Sequence, residues 1–178
     1  YTWFENAHEM RLTPWHNDPI SDDSGEAYYL RDEDNGYVWS PLPGPARGET
    51  PYICRHGVGY SVWEHLEQDI FSESWVYVAT DAPVKFCSIR LQNRSGRTRR
   101  ISVTGYCEWV LGEIRDKSAM HVVSSLDPQT GAVFANNPFN QDFPRRIGFF
   151  HCREPQHSFT SDRLEFLGRH GSVEKPAA

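Results

Sequence analysis

The chain has 178 residues, 38% of them hydrophobic, with a formal net charge of −6 and a mean hydropathy of −0.63. That length supports one domain with a real core. Acids and bases are interspersed, and Arg97, Arg99 and Arg100 are too few to make a nucleic-acid or anionic-membrane surface.

No apolar run reaches the length of a bilayer span, so no membrane contact is expected of this segment. Opening on Tyr1 and closing in KPAA, the chain reads as an excerpt of a larger multidomain protein, here a single β domain over residues 1–178.

Residues 1–19, YTWFENAHEMRLTPWHNDP, show neither a helical nor a strand period, and Pro14 would break a helix. Trp3, Arg11, Trp15, His16, Asn17 and Asp18 are candidate carbohydrate contacts. Ring faces stack on sugar C–H surface, and planar polar groups take the hydroxyls. The competing reading is a loop whose tryptophans plug one end of a β core.

Residues 21–25 form a turn cluster, and 26–31 and 37–40 are strands of a hairpin closed by Asn35-Gly36. Residues 41–51, with four prolines and two glycines, are a surface excursion that could act as a lid or rim. Strand character resumes at 52–56, and Gly57-Val58-Gly59 reads as a bulge before the strand continues over 60–67. Residues 70–80 alternate with apolar groups on both faces, as in a sheet covered on both sides.

The 84–92 strand turns at 93–96 into 101–111. There Ile101, Val103, Cys107, Trp109 and Leu111 share one parity and Ser102, Thr104 and Glu108 the other. These two stretches are expected to pair as a long hairpin forming the spine of the sheet. Residues 121–126 and 132–135 are partners across the turn 127–131. Residues 147–152 and 157–160 are short strands, and 162–167 is a strand or one helical turn. The fold class is all-β, antiparallel, a sandwich or a barrel.

Cys54, Cys87, Cys107 and Cys152 each sit in a strand-like run. They read as buried free thiols in a reducing, cytoplasmic compartment, ahead of disulfides and then a zinc site. The pairs Glu5/Glu9 and Asp22/Asp23 could be proposed as a glycosidase dyad, but loop acids are usually solvated. His8 and His16 share the opening loop without metal-ligand spacing. Phosphate-loop, nucleophile-elbow and zinc-helix motifs are absent. No catalytic and no metal-binding residue is assigned.

Five ordered stretches carry a resemblance: YTWFENAHEMRLTPWHNDP, GEAYYLRDEDNGYVWSP, YICRHGVGYSVWEH, SGRTRRISVTGYCEWVLG and SDRLEFLGRHGSVEKPAA. Together they cover essentially the whole chain. They resemble glycoside hydrolase family 94, the cellobiose- and chitobiose-phosphorylase-like proteins and the phosphorylase-like region of cyclic β-1,2-glucan synthases. Residues 1–19 and 96–112 are most similar to the glucan-synthase branch.

The resemblance implies an N-terminal β-supersandwich of galactose-mutarotase-like type, incomplete here at both ends and so with exposed sheet edges. It also implies a downstream helical linker and (α/α)6 catalytic domain. The general acid and most of the phosphate site belong to that barrel, so no catalytic residue carries over. This segment needs no cofactor; inorganic phosphate is the co-substrate of a parent that cleaves β-glucosides by inverting phosphorolysis. The parent could be tethered to the inner membrane through other segments.

Implied partners are a β-glucan or glucosyl oligosaccharide, the catalytic barrel and a second copy in a homodimer. Arg55 and His56 join the candidate sugar contacts as a rim loop. Two alternatives stand beside this: a stand-alone carbohydrate-binding module using Trp15 and Trp63, and a mutarotase-like enzyme using His56 and Glu64.

Overall fold

Short strands and tight turns make up nearly all of the computed structural model, which describes residues 1–18, 20, 24–154 and 158–177. The strands are β1 (Trp3–Phe4), β2 (Asn6–Arg11), β3 (Glu26–Asp32), β4 (Val38–Trp39), β5 (Tyr52–Gly57) and β6 (Tyr60–Glu67). They continue with β7 (Ile70–Val78), β8 (Lys85–Asn93), β9 (Ile101–Cys107), β10 (Val123–Leu126), β11 (Val133–Asn136) and β12 (Ile147–Phe150). Two short helices, α1 (Arg115–Ser118) and α2 (Arg163–Leu167), complete the set with a single 3-10 turn, Ala119–His121. No helix among the described residues is long and apolar enough to cross a membrane.

The chain divides into two compact units. One spans Ala27–Gly105 and Val173–Lys175 and contains two sheets, ordered β4-β3-β9 and β5-β6-β7-β8. Leu30 and Trp39 from the first sheet meet Ile70 from the second, with Tyr37, Leu91 and Ile101 packed around them. Two sheets closing over one apolar cluster make this unit an antiparallel sandwich.

Local turn chemistry explains its hairpins. Gly36 takes φ +72° and Tyr37 N donates to Asn35 Oδ1 at 2.8 Å, so β3 and β4 pair with Leu30 opposite Trp39. Between β6 and β7, Gln68 and Asp69 both have positive φ (51° and 61°), the backbone that a two-residue reversal of right-twisted strands requires.

Three expectations for this unit fail. Gly57-Val58-Gly59 is not a bulge. The chain reverses there, with Gly57 opposite Tyr60 and Gly59 at φ +82°, so 52–57 and 60–67 are neighbouring strands. Gly57 is needed for a separate reason: a Cβ there would run into the Tyr60 ring.

The β8–β9 hairpin also does not form. β8 pairs with β7 along its whole length, whereas β9 lies beside β3. The cause is long-range: Arg99 donates to the buried carboxylate of Asp32 through Nε at 3.1 Å and to Gln68 O at 2.8 Å, while Glu33 N donates to Arg100 O at 2.9 Å. These bonds draw residues 99–101 to the end of β3. The Asp34 backbone N–H, and then Arg99, hold the Asp32 carboxyl below the usual range against its burial. In β9 itself neither parity is cleanly buried: Ile101 packs on the core cluster and Tyr106 is buried, while Val103 and Thr104 are exposed.

Finally, the four-stranded sheet is covered on one face, not both. Ile70, Ser72 and Ser74 are buried, but the Phe71, Trp75 and Tyr77 side is open, with Trp75 and Tyr77 exposed.

The other unit, Tyr1–Glu26, Tyr106–Ser172 and the tail from Pro176, holds the β1-β2 hairpin and the sheet β10-β11-β12. Its core is Met10, Leu111 and Ala135, with Phe4, Leu12, Trp109, Val122 and Phe143 packed against them. Irregular segments are stitched by amides: buried Asn137 donates to Val110 O, Leu111 O and Ser118 O at 3.2–3.3 Å, and Asn140 to Glu9 O and Leu111 O at 3.0–3.1 Å. Each satisfies backbone carbonyls that no strand partner takes.

The 127–131 turn pairs β10 with β11 as its sequence predicts, with Gly131 at φ +73° and Asp127 accepting from Gln129 N and Thr130 N. Residues 162–167 resolve as α2, capped by Asp162, which accepts from Leu164 N at 2.8 Å and Glu165 N at 3.3 Å. Phe166 of α2 stacks on Tyr106, and that burial pushes the Tyr106 phenol up to about 12. Residues 158–160 are not a strand, and His157 lies outside the described residues, as does the 21–23 part of the expected turn.

None of the four cysteines is in a disulfide, but burial was the wrong expectation: Cys54 and Cys152 are exposed, and Cys87 and Cys107 are half-buried. Cys54 is on β5, at the edge of its sheet, where one flank meets no neighbour strand among the described residues.

Candidate functional site

Hydrogen bonds fold residues 1–3 back on residues 11–15. Leu12 N donates to Thr2 O at 2.8 Å, and Thr2 N to Thr13 Oγ1 at 2.9 Å. Gly25 lets this strap pack tightly, because a Cβ there would stand 2.8 Å from both Pro14 Cδ and Thr13 Cβ. The β1–β2 register then puts Trp3 opposite Arg11. Residues opposite each other in an antiparallel pair share a face.

Arg11 is the centre of the cluster. Its Nε donates to Ala7 O at 3.0 Å and its Nη1 to Glu113 O at 2.8 Å, which fixes the guanidinium plane. That plane lies 4.4 Å from the Trp15 ring centroid and 6.0 Å from Tyr1. Tyr1 and Trp15 meet edge to face at 6.4 Å. All three rings face solvent, with Tyr1 52%, Trp3 51% and Trp15 41% exposed. Three open rings around an oriented cation present apolar faces and directed donors in one patch, a combination that suits a polyol.

The structure thus brings together Trp3, Arg11 and Trp15, and adds Tyr1, which the sequence reading did not single out. Its only sequence signal was membership of the aromatic-rich opening stretch. Asp18 Oδ1 accepts from Ile20 N at 3.0 Å. No hydrogen bond or ring contact among the described residues ties His16 or Asn17 to the rings. Glu5 and Glu9 are not opposed acids: Glu5 pairs with Arg146, and Glu9 with His8 at 3.0 Å. Asp22 and Asp23 lie outside the described residues.

Arg55 and His56 belong to the other unit and point to opposite faces of the four-stranded sheet. Arg55 pairs with Glu64, and that hydrogen bond holds its guanidinium pKa up. His56 faces the other way, with Nδ1 2.7 Å from Ser61 Oγ and Nε2 3.2 Å from Cys54 Sγ. His56 and Glu64 therefore do not face each other across one cleft, and this pair lends the mutarotase-like alternative no support. Trp63 shares the His56 face, edge-on to the imidazole at 6.1 Å, and is half-buried.

The open face of the same sheet carries a second aromatic group. Tyr60 stacks on Trp75 at 5.2 Å and Tyr77 on Phe86 at 5.1 Å, all four rings exposed. Glu73 accepts the Trp75 indole N–H at 3.0 Å, and Arg94 lies 4.1 Å over Phe71. The odd-numbered aromatics of 70–80 were the visible signal.

The sequence model of the glycosyl hydrolase 94 supersandwich domain matches residues 1–178. The chain belongs to that family. Among curated relatives it is 35% identical, over all of its own length, to the cyclic beta-(1,2)-glucan synthase NdvB of Rhizobium meliloti (strain 1021), covering 6% of that protein. It is 23% identical to the N,N'-diacetylchitobiose phosphorylase of Vibrio proteolyticus, covering all of this chain and 23% of that one. It is 27% identical to the solabiose phosphorylase of Paenibacillus borealis over 85% of this chain and 20% of that one. The chain thus spans less than a quarter of the length of these relatives. As a glycosyl hydrolase 94 supersandwich domain, it has the all-β antiparallel architecture that the resemblance implied.

Proposed function

We propose that this domain is the non-catalytic β portion of a glycoside phosphorylase or cyclic β-1,2-glucan synthase-like protein, contributing to the rim of the sugar site and to dimer assembly. The parent reaction is inverting phosphorolysis of a β-glucoside. Phosphate replaces water as nucleophile, so only one protein acid is needed, and that acid lies in a downstream (α/α)6 domain. Four cysteines that form no disulfide favour a reducing, cytoplasmic setting.

The observation that carries the rim role is the outward cluster of Tyr1 and Trp15 around Arg11, with exposed Trp3 opposite Arg11 in the β1–β2 register. An open, single-sided patch gives weak binding, with a Kd of roughly 1 mM, or about −4 kcal/mol. β-Linked gluco-oligosaccharides titrated against tryptophan fluorescence should give a saturable response that Trp15→Ala abolishes. An unchanged spectrum up to several times that concentration would end the sugar reading. The alternative of a stand-alone binding module gains less support, since Trp63 is half-buried.

The dimer role is supported by the Tyr60, Trp75, Tyr77 and Phe86 face, which a second copy could cover. Sedimentation should show self-association that the double variant Trp75→Lys/Tyr77→Lys reverses. Identical sedimentation of the two proteins would discard this face as the interface.

A further inference from the structure

We propose that Cys54 is a histidine-activated nucleophilic thiol and a site of reversible modification by small disulfides. The feature lies outside the patch assigned to sugar and does not depend on it. Cys54 and His56 are two residues apart on β5, so their side chains share one face of the sheet. Sγ stands 3.2 Å from His56 Nε2. Ser61, opposite His56 on β6, holds the other ring nitrogen at 2.7 Å. Trp63, opposite Cys54, lies perpendicular to the imidazole at 6.1 Å.

This is the arrangement of a nucleophile, a base in hydrogen-bonding reach, and a third group that orients the base. With Nδ1–H donating to Ser61 Oγ, Nε2 presents its lone pair to the thiol. The site is open to reagents: Cys54 is exposed, and β5 is an edge strand. Buried structural cysteines are inert, whereas exposed thiols beside a histidine are the reactive class.

The co-reactant is a small dialkyl disulfide. His56 Nε2 takes the Cys54 proton, and the thiolate attacks one sulfur of the disulfide. A new S–S bond forms as the old one breaks, and the departing thiolate takes the proton from His56. Cys54 ends as a mixed disulfide and the reagent yields one equivalent of thiol, so protons and electrons balance. A second thiol reverses the step.

Cys152 supplies an internal control, since it is also exposed but has no hydrogen-bonding partner among the described residues. The intact chain is treated with limiting iodoacetamide at roughly pH 7, and labelling at each cysteine is read by mass spectrometry. Cys54 should label about tenfold faster than Cys152, because His56 Nε2 stands in reach to take the thiol proton as the new bond forms. His56→Ala should bring the Cys54 rate down to that of Cys152, and glutathione disulfide should modify Cys54 first. Equal labelling rates at the two cysteines in the unaltered protein would overturn the proposal without any variant. So would an accelerated Cys54 that His56→Ala leaves unchanged.

Discussion

Replacing Trp39 by alanine should cost about 3–5 kcal/mol of folding free energy, the range for a large aromatic removed from a packed core. Trp39 is 0% exposed and is clasped by Leu30, Ile70, Tyr37, Leu91 and Ile101. It also anchors a strand with little else to hold it. β4 has two residues and meets β3 only through Leu30 opposite Trp39 and Arg31 opposite Val38. The indole N–H has no acceptor among the described residues, so Trp39→Phe sheds an unsatisfied donor and should lose much less than the alanine variant. Trp75→Ala is the matched comparison on the open sheet face. It removes a stacked pair at the surface and should cost about 1 kcal/mol. Urea midpoints for the three variants should rank Trp39→Ala lowest by a wide margin. Equal losses from Trp39→Ala and Trp75→Ala would mean that the apolar cluster between the two sheets does not organise this unit.

That contrast also marks what the sequence made legible. Trp39 and Trp75 both sit in alternating stretches, and alternation says that a strand has two faces without saying which is covered. Where the deciding chemistry was local, the sequence sufficed. Asn35-Gly36 and the 127–131 turn supply positive φ within their own few residues, and both hairpins formed as expected. Where it was remote, the reading failed. The Asp32–Arg99 pair spans 67 positions and takes β9 away from β8 to β3, and no period inside 84–111 records it.

The 57–59 segment was a different kind of miss. Two glycines suit a bulge or a reversal, and the choice is made by where the strand ends, not by the glycines. The patch around Arg11 was partly legible because aromatics crowd residues 1–19. What folded Trp3, Arg11 and Trp15 together was the bonding of Thr2 to residues 12 and 13, which composition does not encode. The opposed directions of Arg55 and His56, by contrast, follow from the two-residue period alone.

Glu67→Ala should be the second costly change, and it tests what pins the proline-rich segment 41–51 to the sheet. The Glu67 carboxylate is buried beneath that segment. Its Oε2 accepts from Glu49 N at 2.9 Å and Thr50 N at 3.2 Å, and Oε1 accepts from the Tyr37 hydroxyl at 3.3 Å. Gly48 completes the contact, since a Cβ there would stand 2.5 Å from both Glu67 Oε2 and His65 Nε2. Alanine at 67 strands these donors, and at about 1–3 kcal/mol for each buried group left unsatisfied the total should reach about 3–5 kcal/mol. Glu67→Gln keeps an acceptor and should cost roughly half as much or less.

A pH signature separates this network from mere packing. His65 is buried, stacked on Tyr52 at 3.6 Å, and stands 3.4 Å from Glu67. Burial holds its imidazole pKa below the ordinary 6.5, opposed by Pro51 O and by Glu67. The folded state then binds its proton later than the unfolded chain. Its contribution is complete above pH 6.5 and drains away as the pH falls toward the folded value. Removing the Glu67 charge takes away an influence that raises the His65 pKa, so in Glu67→Gln the acid loss should continue to lower pH than in the parent. In His65→Gln that slope should vanish. Urea midpoints measured across this acid range decide it, and an acid slope indifferent to both substitutions would exclude His65 as its source.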